Sequence, residues 1–193
     1  LSNLLNWELK NRVSIIVYNS HNDFQQTNVV KQYMQEGIGG VTELYKNRIV
    51  IPFDGSLIDL KHVLHHEMVH LFINDMLYGG SIRGKMYSNV KSVPLWMNEG
   101  LAEYVSDKWS ANSDMWIRDL VINGKQLPGL NELNGYLAYR GGQSVWKFIV
   151  ETLDQDYLEE LHSSPTIIAS IFNSVSKNKD LNTAFEKTIN LDL

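Results

Sequence analysis

The stretch Ser56-Leu57-Ile58-Asp59-Leu60-Lys61-His62-Val63-Leu64-His65-His66-Glu67-Met68-Val69-His70-Leu71-Phe72-Ile73-Asn74-Asp75-Met76-Leu77-Tyr78-Gly79-Gly80 decides how the rest of the chain is read. Ser56 followed three residues later by Asp59 is a capping-box-like helix start, and Gly79-Gly80 supplies a left-handed stop, so a helix is expected to run to about Tyr78. Within it, His66-Glu67-Met68-Val69-His70 places two imidazoles four residues apart on one helical face, where both can reach one metal ion. Glu67 lies about 100° around the helix from His66. Its carboxylate therefore stays out of the ligand pair and can face a metal-bound water as general base.

Upstream the pattern is that of strands. Arg12-Val13-Ser14-Ile15-Ile16-Val17-Tyr18 is rich in β-branched residues and closes on the turn-forming cluster Asn19-Ser20-His21-Asn22-Asp23. Gln25 to Gln35 has weak helical or irregular character. Gly37-Ile38-Gly39-Gly40 breaks any period, Val41 to Tyr45 begins a second extended segment, and Lys46-Asn47 reads as a turn. Arg48-Ile49-Val50-Ile51-Pro52-Phe53 is the next strand, and Pro52 predicts that it lies at a sheet edge or ends there. Downstream, helices are expected over Pro94 to Lys108, Ser113 to Ile122, Leu137 to Leu153, Pro165 to Ser176 and Leu181 to Ile189.

The fold class is thus α+β. A small N-terminal mixed β-sheet packs on the His-Glu-x-x-His helix, and a mainly helical part follows. Residues 1–55 are mainly β and 56–193 mainly α, within one domain of 193 residues. With 44% hydrophobic and 20% charged residues, the composition is that of an ordinary globular domain able to bury its own core.

Several chemistries are excluded. The chain has no cysteine, so a thiol nucleophile, a redox pair and a thiolate metal cluster cannot exist. A net charge of −5 and a pI near 5.7, with no long run of either sign, disfavour nucleic acid and anionic membrane as partners. No apolar stretch approaches the roughly 20 residues that span a bilayer, so no membrane insertion by this segment is expected. The start at Leu1 rather than Met is that expected of a processed or excised piece of a larger protein. Oligomeric state is not legible.

Catalytic zinc usually takes three protein ligands and leaves one position to water. Without cysteine, the third donor is His, Asp or Glu. The continuation His-x-x-Gly-x-x-His fails at Ile73 and Met76. Pro94-Leu95-Trp96-Met97-Asn98-Glu99-Gly100-Leu101-Ala102-Glu103-Tyr104 offers carboxylates on a second expected helix.

The His-Glu-x-x-His pattern followed by Asn98-Glu99-Gly100-Leu101-Ala102 resembles the gluzincins, the thermolysin-like and zinc-aminopeptidase clan of zincin folds, and most of all their small peptidase-MA-like members. That resemblance implies that Glu99 is the third zinc ligand beside His66 and His70. It implies that Glu103 hydrogen-bonds a ligating histidine, which fixes the imidazole tautomer. Glu103 as ligand with Glu99 beside it is the alternative. Tyr139-Arg140-Gly141-Gly142, read as heading a helix from Gln143, is similar to the Tyr-x-x-Gly segment of zinc aminopeptidases, which gives Tyr139 the role of oxyanion donor. Tyr136, one turn earlier, is the runner-up, and packing on the core with a surface hydroxyl is the plain alternative for Tyr139.

By the same resemblance, Gly39-Gly40-Val41-Thr42-Glu43 is the edge strand that binds substrate backbone, with Gly40, Val41 and Thr42 the substrate-binding residues. Thr42 stands where the aminopeptidases carry a glutamate for the substrate's amino terminus. Glu43 comes one residue late, which turns it to the other face. An endopeptidase is therefore expected over an aminopeptidase.

The resemblance runs from Val13 to the Leu181-x-x-Ala184-Phe185 segment. It implies one catalytic zinc ion, a peptide or protein substrate and an extracytoplasmic location within a larger exported protein. A zinc-binding pseudoprotease used as an interaction module, and a structural zinc site with a fourth protein ligand, remain open.

Other residues read more plainly. His62 shares the face of His66 and His70, but a helix rises about 6 Å over four residues, so three successive turns do not easily close on one ion. A rim position is expected for it. His65 points sideways, and His21 and His162 are expected at the surface. Trp96, Trp116 and Trp146, with Met68, Met76 and Met97, are read as core.

Overall fold

In the computed structural model the described residues are 1–5, 7–26, 38–43, 46–87, 93–107, 109–123 and 129–152. The expected helices Pro165 to Ser176 and Leu181 to Ile189, the surface position of His162 and most of Gln25 to Gln35 lie outside them. The chain divides into two compact units, residues 1–89 and 90–193.

The first unit opens with a short helix α1 (Ser2–Leu5), strand β1 (Ser14–Tyr18), helix α2 (His21–Gln25), and strands β2 (Val41–Glu43) and β3 (Arg48–Pro52). The long helix α3 (Leu57–Tyr78) and the short α4 (Ile82–Tyr87) complete it. The sheet is mixed, in the order β1-β3-β2, with β1 parallel and β2 antiparallel to β3. So β3 is the central strand, and Pro52 is its last residue rather than an edge marker. A proline without an N–H is tolerated there because the ladder ends with it.

Being central, β3 is buried on both faces, which is why it reads as a continuous apolar run. Ile49 and Ile51 point to α3 and form a core with Leu71, flanked by Val63, Leu64 and Met68. Val50 points the other way and packs with Phe24, Ile16, Tyr18 and Val41. Asn47, in the turn between β2 and β3, takes a left-handed φ of 47°, a conformation asparagine accepts at little cost.

One correction concerns the cluster after β1. Asn19 to Asp23 is not only a turn, because Ser20 caps α2 by accepting a hydrogen bond from the Asp23 N–H at 3.1 Å. The capping signal outweighed the turn propensity of the same residues. His21, expected at the surface, is half buried against the Phe24 ring, 5.6 Å between centroids.

Helix α3 begins and ends as its sequence demands. Ser56 Oγ accepts from the Asp59 N–H at 3.2 Å, and Gly79 adopts φ 61° while its N–H bonds the Asp75 carbonyl at 2.8 Å. The buried Asp75 carboxylate near that end ties down the N-terminal segment, accepting from Trp7 Nε1 at 2.8 Å and from the Lys10 N–H at 3.3 Å.

The second unit contains α5 (Leu95–Asp107), α6 (Ala111–Ile122) and α7 (Tyr136–Thr152), with a 3₁₀ turn at Leu130–Glu132. Helix α6 starts two residues before Ser113 because Ser110 Oγ receives the Ser113 N–H at 3.3 Å. Helix α7 starts at Tyr136, one residue before the Leu137 expected for it, so Gly141 and Gly142 lie inside it and not ahead of a helix from Gln143. Their presence there has a packing cause. A Cβ at Gly142 would strike the Trp96 carbonyl oxygen and lie 2.9 Å from Gly100 Cα, and one at Gly141 would lie 2.9 Å from Leu133. The two helices cross backbone to backbone, and Trp146 Nε1 donates to the Met97 carbonyl at 2.9 Å. Trp96, Met97, Leu101, Ala138, Val145, Trp146 and Ile149 fill this core. Trp116 does not join it. It is 40% exposed on α6 and rests on Tyr136, their ring centroids 5.0 Å apart.

Among the described residues, no helix is long and apolar enough to cross a membrane.

Candidate metal centre

The capping of α3 sets its phase, and its packing on β3 sets which face is covered. His66 and Glu67 are each 8% exposed, and His70 is half buried. The His66 and His70 rings stand edge to face with centroids 4.8 Å apart, the arrangement expected of two donors one turn apart on one face. The His62 ring is 6.4 Å from that of His66, one turn farther along. His65 is half buried and held below the usual histidine range, chiefly by burial and then by Lys61.

Glu67 is held from the side of the sheet. Thr42 lies opposite Ile49 in the β2–β3 ladder, and neighbours across a ladder share a face, so its side chain points to α3. Its hydroxyl donates to Glu67 Oε2 and lies 3.0 Å from the Glu67 carbonyl oxygen. Gly40, on the same face, brings its backbone so close that a Cβ would sit 3.0 Å from Glu67 Cγ and 2.9 Å from both Ile51 and Val63. Val41 is turned to the opposite face, with Phe24 and Val50. Glu43 pairs with Lys46 at 2.8 Å and with Arg48. Of the three residues expected to bind substrate, Gly40 and Thr42 thus lie against the expected base and Val41 does not.

In the second unit, Glu99 and Glu103 sit one turn apart on α5, Glu99 half buried and Glu103 buried. The Arg140 guanidinium of α7 reaches Glu103 at 3.1 Å and Gln143 Oε1 at 3.1 Å. Burial works to lower the Arg140 pKa, but the Tyr136 hydroxyl and the Glu103 carboxylate outweigh it, so the guanidinium stays charged. Tyr139 is half buried in the first turn of α7. Tyr136, its runner-up, is exposed, tilted against Trp116 and within 3.4 Å of Arg140 Nε.

His66 and His70 offer two imidazoles on one face of α3 in the first unit, and Glu99 offers a carboxylate on α5 in the second. Imidazole and carboxylate are donor types that suit zinc.

The family model of the Peptidase MA superfamily matches residues 1–167. The chain belongs to the Peptidase MA superfamily. Among curated proteins none matches it closely enough to count as a relative. Membership gives this Peptidase MA chain a peptidase-type function and protein substrates at the level of class. The superfamily is generally metal-dependent, in keeping with the adjacent His66 and His70 rings on α3.

Two features of this Peptidase MA chain escaped sequence reading. Arg140 was passed over as part of a Tyr-x-x-Gly segment, although a buried glutamate elsewhere calls for a cationic partner. Thr42 is expected among the substrate-binding residues, and its contact with Glu67 is not part of that reading. Strand alternation relative to Ile49 was the signal that could have placed it.

Proposed function

We propose that this chain is a zinc-dependent metalloendopeptidase of the gluzincin kind, in which His66, His70 and Glu99 hold one zinc ion and Glu67 is the general base. The observation that carries the reading is the adjacency of the His66 and His70 rings on one face of a capped helix, with the carboxylate of Glu67 tied down beside them. By the resemblance of the Asn98-Glu99-Gly100 segment, Glu99 is the third donor of the set that an open catalytic zinc site requires. A zinc ion bound there supplies Lewis acidity, which polarises a peptide carbonyl and makes water nucleophilic near neutral pH.

The chain's own residues do the rest. Glu67 takes a proton from the attacking water and returns it to the leaving amine. Tyr139 donates its phenol hydrogen to the developing oxyanion, and Glu103, with Arg140 beside it, is the residue that orients a ligating imidazole. The preference for internal bonds follows from β2. Thr42 has no carboxylate and is turned to Glu67, while Glu43 is engaged by Arg48 and Lys46. Neither is disposed to hold a substrate's amino terminus.

The test is digestion of a diverse peptide library by zinc-loaded protein, read by mass spectrometry beside Glu67→Gln. Internal cuts by the wild type alone support the proposal. Removal of single N-terminal residues overturns the endopeptidase assignment. If both proteins hold one zinc and neither cuts, a pseudoprotease used for interaction replaces it.

A further inference from the structure

We infer that Thr42 is a positioning residue that assigns the two carboxylate oxygens of Glu67 to different tasks. The inference rests on the peptidase reading above and adds a residue to it. A threonine hydroxyl has one hydrogen to give, and it goes to Oε2 of Glu67, with the carbonyl of the same residue 3.0 Å away. Oε2 thereby carries a hydrogen bond that Oε1 does not receive from Thr42, which makes Oε1 the more basic of the two oxygens toward water.

The carboxylate is held at two levels. Its head is fixed by the Thr42 hydroxyl. Its stem is walled by the Gly40 backbone, which approaches closely only because Gly40 has no Cβ. Both residues face α3 because β2 pairs antiparallel with β3 in the register Thr42↔Ile49. Threonine suits the task better than serine, because a β-branched side chain on a strand has few χ1 choices and its hydroxyl does not wander. A base that must accept a proton and later return it gains from such fixation, since small misplacements of reacting groups cost much rate.

Thr42→Val keeps the shape and removes the hydroxyl. In zinc-loaded protein acting on one peptide that the wild type cuts, kcat is expected to fall about ten- to a hundredfold, with KM and zinc content close to wild type. Thr42→Ser is expected to recover most of that loss, which restored packing alone would not do. Thr42→Ala should match Thr42→Val, a safeguard if valine is poorly accommodated. A readout apart from activity is the melting temperature. Thr42→Val should lower it by about 2–4 °C in the wild type, and by clearly less in a Glu67→Ala background.

Undiminished kcat in Thr42→Val, or no recovery in Thr42→Ser, overturns the positioning role while the peptidase reading stands. Additive melting shifts overturn the clamp itself. Coupled melting shifts in a wild type that cuts nothing retain the clamp and overturn the peptidase reading, and with it any catalytic role for Thr42.

Discussion

Gly100 on α5 and Gly142 on α7 meet backbone to backbone: a Cβ built on Gly100 would lie 2.5 Å from Gly142 Cα and closer still to its carbonyl carbon. The glycine that follows Glu99 is therefore a packing requirement of the helix crossing. That crossing also brings Arg140, two residues before Gly142, to the carboxylate of Glu103.

Gly100→Ala and Gly142→Ala should each destabilise the protein. Alanine improves intrinsic helix propensity by about 1 kcal/mol. Overpacking against backbone that cannot rotate away costs about 3 kcal/mol or more, so the clash wins. Urea unfolding of the two variants checks the sign, and a midpoint at or above wild type would remove the close crossing from this account.

Asp75 is 3% exposed and accepts from both Trp7 Nε1 and the Lys10 N–H. Asp75→Ala leaves two donors without their acceptor and should cost about 2–4 kcal/mol. Trp7→Phe deletes one donor and should cost less on the hydrogen-bond account. Protease digestion of Asp75→Ala should clip the N-terminal segment first, and equal resistance in variant and wild type contradicts the anchoring role.

The proposed roles of Glu99 as ligand and of Glu103 with Arg140 as support can be told apart by zinc affinity. Glu99→Ala should weaken zinc binding strongly. Glu103→Gln or Arg140→Met should weaken it only about tenfold, as loss of an outer hydrogen-bonding partner does. Competition with a chelating dye measures all three. If Glu99→Ala binds zinc as the wild type does and Glu103→Ala abolishes binding, the two glutamates exchange roles.

Glu43 carries a pH dependence. Burial raises its pKa, but hydrogen bonds from Lys46 and Arg48 and their charges outweigh that, and the net shift is downward. A carboxylate with a depressed folded pKa contributes stability above its unfolded value and loses it as the pH falls through the folded one. The loss belongs below the ordinary glutamate range. Because Lys46 is largely exposed, the contribution should stay below about 1 kcal/mol. Glu43→Gln should be slightly less stable at neutral pH and converge with the wild type in acid. A constant difference at every pH would assign the effect to packing.

How much of this was written in the sequence depends on the range of the interaction. Caps and stops are local, so Ser56, Asp59 and Gly79 delimited α3 correctly, and the i,i+4 spacing of His66 and His70 put both on one face before any tertiary contact was known. Where two local signals competed, reading went astray. The cluster around Ser20 looked like a turn and became a cap, whereas Pro52, which left an edge or a strand end open, marks the end of a central strand. The glycines at 141 and 142 looked like a helix head and proved to be the floor of a crossing.

By itself, then, the sequence determined the α+β class, the capped His-Glu-x-x-His helix and the donor types available to a metal, because these follow from backbone propensities and periodicity within one segment. Only the tertiary structure decided that Thr42 touches Glu67, that Arg140 pairs with Glu103 and that Gly100 must be small against Gly142. Each of those joins residues on different elements. Such contacts depend on sheet register and helix crossing, which arise from the packing of whole faces and leave no mark in the local order of residues.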